Sequence, residues 1–231
     1  MNKISDSLFN EELKEFIIDN TAFTSFPTLR GVKRIIWFDS YYCNQMLDLK
    51  GLKEIEYLNT GQSKSEFISF NNCPNLADIN DVFNLNISKL SLDVKVLPKN
   101  IIANNITHLI LGDIESLEGI EQFSSLEYLS FKKRNELSAP IKNLSSLKGL
   151  KNLKQLRLGG CKDLESLEGL EQFEHLKMLD LTRMENLKDI KALGNIKVDT
   201  LYISGCLLKK VDFPAHLQDN IDWQTIPRLW F

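Results

Sequence analysis

The residues of this chain that could do chemistry are three histidines, four cysteines and a scatter of serines and carboxylates. Their spacing decides what they can do. Acyl transfer of the serine–histidine–aspartate kind needs a nucleophile in hydrogen-bond contact with a base, and a carboxylate to orient that base. His108, Asp113 and Ser130 supply the three types, but no G-x-S-x-G turn presents the serine. Phosphate chemistry calls for a glycine-rich loop ending in Lys-Ser or Lys-Thr, and zinc hydrolysis for H-E-x-x-H; neither occurs. Cys43, Cys73, Cys161 and Cys206 form no C-x-x-C pair, and His108, His175 and His216 do not cluster near them, which argues against a zinc site. The expectation is therefore a chain that is not an enzyme and uses neither cofactor nor metal.

The bulk numbers narrow the setting. A chain of 231 residues, 43% hydrophobic and 26% charged, has the composition of a soluble globular protein. Its net charge of -3 disfavours a general nucleic-acid binder, which would present a basic face. No apolar run approaches the roughly 18 residues of a membrane span. The opening MNKISDSLFNEELKEFIID carries acidic residues where a secretory signal would place its apolar core, so a cytoplasmic location and reduced thiols are expected.

What positions these residues is a repeat. Ser116–Phe123 reads SLEGIEQF, and Ser166–Phe173 reads SLEGLEQF. The second copy belongs to a longer pattern, Leu153-x-x-Leu156-x-Leu158-x-x-Cys161-x-x-Leu164-x-x-Leu167-x-x-Leu170-x-x-Phe173. Leu176, Leu179, Leu181, Met184 and Leu187 start another copy, and Leu201, Ile203 and Cys206 another, at steps of 23 and 22 residues from Leu156 to Leu179 to Leu201. Upstream copies open at Leu126/Leu129/Phe131, Ile106/Leu109/Leu111, Ile87/Leu90/Leu92 and Ile68/Phe70/Cys73. The x-L-x-L portion has the period of two of a strand with one buried face. Apolar residues at every third position follow, as suits a short helix or 3₁₀ turn. One such strand–turn unit cannot hide its leucines; stacked units can.

The pattern L-x-x-L-x-L-x-x-C/N resembles the leucine-rich repeat, clearly over residues 65–213 and loosely over 30–64. The resemblance implies an α/β solenoid, a curved horseshoe of about seven to nine coils with a parallel sheet on its concave side. It also implies binding of other macromolecules. In this register Cys73, Cys161 and Cys206 fall just after the strand, where side chains meet backbone at the turn. Cys161 and Cys206 then lie two coils or roughly 10 Å apart, beyond disulfide reach.

One domain, 1–231, is expected, with an N-terminal cap over 1–30, repeats over 31–213 and a C-terminal cap over 214–231. Leu8, Phe9, Leu13, Phe16 and Ile17 have near-helical spacing and predict a helical N-terminal cap. Trp223, Ile226, Leu229, Trp230 and Phe231 break the repeat and are expected to cover the last coil. Two places fray. Ile36 and Leu58 are 22 apart and fit as a pair, but Leu58 to Ile68 is only 10, so an insertion is expected around 59–65. The step from Leu126 to Leu153 grows to 27, with Ser138-Ala-Pro140 marking a loop.

Residues between the leucines point away from the core. The register puts Phe67, Lys89, His108, Tyr128, Gln155, Met178 and Thr200 in one column. Ser69, Ser91, Ile110, Ser130, Arg157, Asp180 and Tyr202 form the next, with Lys132 and Arg183 beyond them. Phe67, Lys89, His108, Ile110, Tyr128, Lys132, Arg157, Met178, Asp180, Arg183 and Tyr202 are the candidate partner-binding residues. Tyr, Arg and Met among mixed charges match protein recognition surfaces, and exposed Ile110, Tyr128, Met178 and Tyr202 would be the strongest of them. Adjacent Arg157 and Asp180, or Asp113 and Lys133, could instead simply pair with each other. Two functions follow as expectations. The first is a cytoplasmic, non-catalytic scaffold that binds a protein, in its specific form an immunity protein that blocks a bacterial toxin. The second is a secreted effector or adhesin that binds a host protein.

Overall fold

Alternating leucines produce the strands. The computed structural model describes residues 9–10, 15–19, 34–38, 57–59, 68–70, 88–112, 114–131 and 141–222. Eight strands form one sheet in chain order: β5 (Ile68–Phe70), β6 (Lys89–Asp93), β7 (His108–Gly112), β8 (Tyr128–Phe131), β9 (Gln155–Arg157), β10 (His175–Asp180), β11 (Lys197–Tyr202) and β12 (Ile221–Asp222). Every neighbouring pair in it is parallel. Each strand lies beside the next one in sequence, so the chain winds as a coil and the sheet stays open at both edges.

The coil is held from inside. Leu90, Leu109, Leu129, Leu156, Leu179 and Leu201 occupy one register row, and all are fully buried. Leu92, Leu111, Phe131, Leu158, Leu181 and Ile203 line the next inward position and are buried too. Each fully buried leucine contributes roughly 1.5–3 kcal/mol. The duplicated octets supply the opposite wall: Leu117, Ile120 and Phe123, like Leu167, Leu170 and Phe173, join the same core. Their every-third-residue spacing gives 3₁₀ turns, here Ile120–Gln122, with further ones at Ser145–Leu147, Lys191–Gly194, Lys210–Asp212 and Ala215–Asn220. A parallel bridge between Ser166 and Asp189 ties consecutive coils on that far wall. Stacked parallel coils around a leucine spine give an open solenoid, consistent with the leucine-rich-repeat resemblance.

The last coil is closed by chain of a different pattern. Phe213 and Leu217 are buried in the common core. The side chain of Asn220 donates to the Val198 carbonyl, and the His216 ring contacts the Ile196 carbonyl at 3.0 Å. Residues 223–231, with their aromatic run, lie outside the described residues.

The N-terminal expectations need correction. Residues spaced like a helix are strands where they are described: β1 (Phe9–Asn10) pairs antiparallel with β2 (Glu15–Asp19), which runs parallel to β3 (Arg34–Phe38). A short apolar run such as Phe16-Ile-Ile18 satisfies either period, and pairing with Ile35-Ile-Trp37 decides it. The β3 register is also shifted by one. Ile35, not Ile36, pairs with Leu58 in β4 (Tyr57–Asn59). Strands β1 to β4 form a separate four-stranded sheet, and the break between β4 and β5 falls where the repeat spacing fails. Of the expected insertion at 59–65 and the loop at 132–143, residues 60–65 and 132–140 lie outside the described residues.

Candidate binding face of the parallel sheet

Cross-strand pairing puts the sequence-predicted columns side by side. Lys89, His108, Tyr128, Gln155, Met178 and Thr200 are successive register partners, as are Ser91, Ile110, Ser130, Arg157, Asp180 and Tyr202. Phe67 and Lys132 lie outside the described residues.

Along these columns one polar network crosses four strands. The His108 ring stacks on Tyr128, with centroids 5.5 Å apart and planes 21° from parallel. His108 Nδ1 also contacts Thr107 Oγ1 at 2.9 Å. Arg157 donates from Nη1 to the Tyr128 hydroxyl and from Nε to Asp180 Oδ2, each at 3.4 Å. The other Asp180 oxygen accepts from the Thr182 amide at 2.9 Å. Burial works against the Arg157 charge, but the Tyr128 hydroxyl and the Asp180 carboxylate outweigh it and hold its pKa above the ordinary arginine value. The pair is largely shielded, with side-chain exposures of 15% for Arg157 and 5% for Asp180. It is thus a fixed element of the face, and pairing of the two residues is what the structure shows.

Exposure along the face differs from the sequence expectation. Ile110, expected as exposed apolar bulk, is 2% exposed, and Tyr128 is 7% exposed. Ile110 sits among His108, Gly112, Ser91 and Ser130 on its face of the sheet, and an apolar side chain ringed by neighbours is withdrawn from water. Tyr128 is covered through its ring stack and its hydroxyl contact. Asp180, at 4%, is buried by its partners. Lys89 and His108 are half-buried, as are Gln155, Met178, Thr200 and Tyr202, and Arg183 is exposed, so the described face is reachable over β9 to β11 as well as at β6 and β7.

Two features escaped the sequence reading. Gly159 leaves room for Thr182 and Asp180: a Cβ there would stand 2.7 Å from Thr182 Oγ1. Arg183 has a left-handed backbone, φ 58°, where the neighbouring coils carry Gly160 and Gly205. The signal was present, since Leu-Gly-Gly-Cys161, Leu-Thr-Arg-Met184 and Ile-Ser-Gly-Cys206 align in the repeat.

His108 and Ser130, two of the three triad residues, are not register partners. His108 stands in register with Tyr128, and Ser130 with Ile110 and Arg157, while Asp113 lies outside the description, as do Lys133, Cys43 and Cys73. The described residues hold no group of three or more His, Cys, Asp or Glu suited to a metal. Neither Cys161 nor Cys206 is in a disulfide. Cys206 donates to the Met184 carbonyl at 3.4 Å, the backbone contact expected of that position. Burial pushes its pKa up.

No family model and no curated protein matches the chain. Among solved structures it is similar to an internalin from Listeria monocytogenes str. 4b F2365, at 15% identity and a TM-score of 0.40, over 85% of this chain and 62% of that one. The chain thus spans less than two thirds of that internalin's length. No helix of the described residues is long and apolar enough to cross a membrane.

Proposed function

We propose that the chain is a non-catalytic scaffold that binds another protein through the open face of its parallel sheet, over β9 to β11. The observation that carries this reading is the surface itself. Met178 and Tyr202, only half-buried, flank an Arg157–Asp180 pair that is already in place before any partner arrives. Aromatic, methionine and arginine side chains around a shielded centre are the usual makings of an interface hot spot. A side chain ordered in advance costs less entropy on binding. The specific form we favour is a cytoplasmic immunity protein that covers the active site of a cognate toxin.

Co-expression with the product of the adjacent reading frame tests this. The expected result is restored growth and a one-to-one complex, weakened at least tenfold, or by about 1.4 kcal/mol, by Tyr202→Ala or Met178→Ala. A complex that tolerates both changes removes the face from the mechanism. Accumulation of the protein in the medium of intact cells would instead favour a secreted effector.

A further inference from the structure

Arg183 stands in a backbone slot that the fold gives to glycine. In three consecutive coils the equivalent residues are Gly160, Arg183 and Gly205, with φ of 82°, 58° and 73°. The slot is the same by hydrogen bonding: the Gly160 amide donates to the Thr182 carbonyl at 2.8 Å, and the Arg183 amide to the Ser204 carbonyl at 2.9 Å. A left-handed backbone is free of penalty only for glycine, and a long side chain there is an outlier. That ladder uses only backbone atoms, so glycine at 183 would serve it equally well. Nothing in the coil's own packing calls for arginine, whose side chain is exposed.

The surroundings accommodate it nonetheless. A Cβ on Gly205 would come within 3.2 Å of Arg183 Cγ, so the bare glycine leaves the room that the arginine stem occupies. Arg157, one coil earlier on the same face, has its charge answered by Asp180. Among the described residues Arg183 has no ion-pair partner. A backbone held in a disfavoured region, presenting an unanswered charge beside a candidate binding face, is strain of the kind kept at functional sites.

We propose that Arg183 anchors a carboxylate side chain, Asp or Glu, of the protein that docks over β9 to β11, and that its left-handed backbone is retained for that contact. The inference rests on the docking role of this face and names the chemistry of the partner at one point of it. A guanidinium suits the assignment because its planar donors match a carboxylate in a two-point contact.

Two measurements test it. In thermal unfolding, Arg183→Gly should raise Tm by about 2–4 °C through release of backbone strain. A fall in Tm overturns the strain argument. Separately, random peptides displayed on phage are selected on the wild-type chain, and the winners are measured against Arg183→Gly and Tyr202→Ala. The expected winners are rich in Asp and Glu, bind more weakly as salt rises, and lose at least tenfold with Arg183→Gly. Winners that lose affinity with Tyr202→Ala but not with Arg183→Gly overturn this inference and leave the docking face standing. Loss with Arg183→Gly alone supports the carboxylate contact and places Tyr202 outside the docked footprint. A selection without acidic enrichment, or without any winner that depends on Arg183, also overturns the inference.

Discussion

Gly149 and Gly169 hold the same slot in successive coils, both left-handed with φ of 115° and 103°, yet a methyl group would meet different surroundings at each. At Gly149 the nearest atom to an added Cβ is Glu121 Cβ at 3.7 Å. At Gly169 it would lie 2.6 Å from the Leu144 carbonyl carbon and 2.8 Å from the carbonyl oxygen and the Ser145 amide nitrogen. Those are backbone atoms and cannot rotate aside. Gly149→Ala should therefore cost only left-handed strain, about 1–2 kcal/mol, while Gly169→Ala should cost distinctly more, about 3 kcal/mol or above, because the coils must part. Urea denaturation of the two variants checks this, and equal losses would mean that the coils do not approach as described. The same scale shows the limits of reading sequence. Which residues share a column was legible from the leucine register, and the cross-strand pairs from Lys89 to Tyr202 agree with it. Burial was not legible. The period says that Ile110 and Tyr128 point away from the leucines, but not that a stacked histidine, a guanidinium and flanking residues would take their surface from water.

Each coil also presents charge at its turn, and the charges alternate. Lys99, Glu118, Lys148 and Glu168 each precede a left-handed residue (Asn100, Gly119, Gly149 and Gly169), and Lys191 holds the same place one coil later, beside the Ser166–Asp189 bridge. Lys99 and Glu118 meet at 2.8 Å. The two near-identical octets are thus kept apart by a lysine-bearing coil, which puts like charges two coils, roughly 10 Å or more, from each other. That is about one screening length in physiological salt. Lys148→Glu would set three acidic turns in succession. It should destabilise by on the order of 0.5–1 kcal/mol at low salt, with Lys148→Gln between, and the difference should shrink in about 1 M NaCl. Chemical denaturation by urea at the two salt concentrations decides it, and a loss independent of salt would point to packing rather than charge. At this scale strands and 3₁₀ turns were legible wherever the period of two gave way to a period of three over several copies. The N-terminal segment was not, because it offers one short apolar run and no second copy to arbitrate between helix and strand.

Because each coil touches only its neighbours, the stability of the stack is close to a sum of coils and interfaces. That makes whole periods removable and fractions of a period not. Leu153 and Val198 hold equivalent inward positions two coils apart, since Gln155 pairs with Met178 and Met178 with Thr200. Deleting residues 154–198 would therefore join them in register, closing β8 directly onto β11. The deletion takes Arg157 and Asp180 out together, which matters because leaving either alone would strand a shielded charge at a cost of about 3–5 kcal/mol. The expected product folds cooperatively, with Tyr128 beside Thr200 and a urea m-value reduced in proportion to the surface removed. Deleting residues 154–187, one and a half periods, should give no cooperative transition, because strand residues would enter where a turn is needed and the leucines would meet water. If both deletions fold equally well, the stacking register is not what holds the molecule; if neither does, the coils are coupled beyond nearest neighbours. Only the first folding and the second failing agrees with a spine built from repeated leucines, and that same modularity leaves Gln155, Met178, Thr200 and Tyr202 free to vary with whatever docks on them.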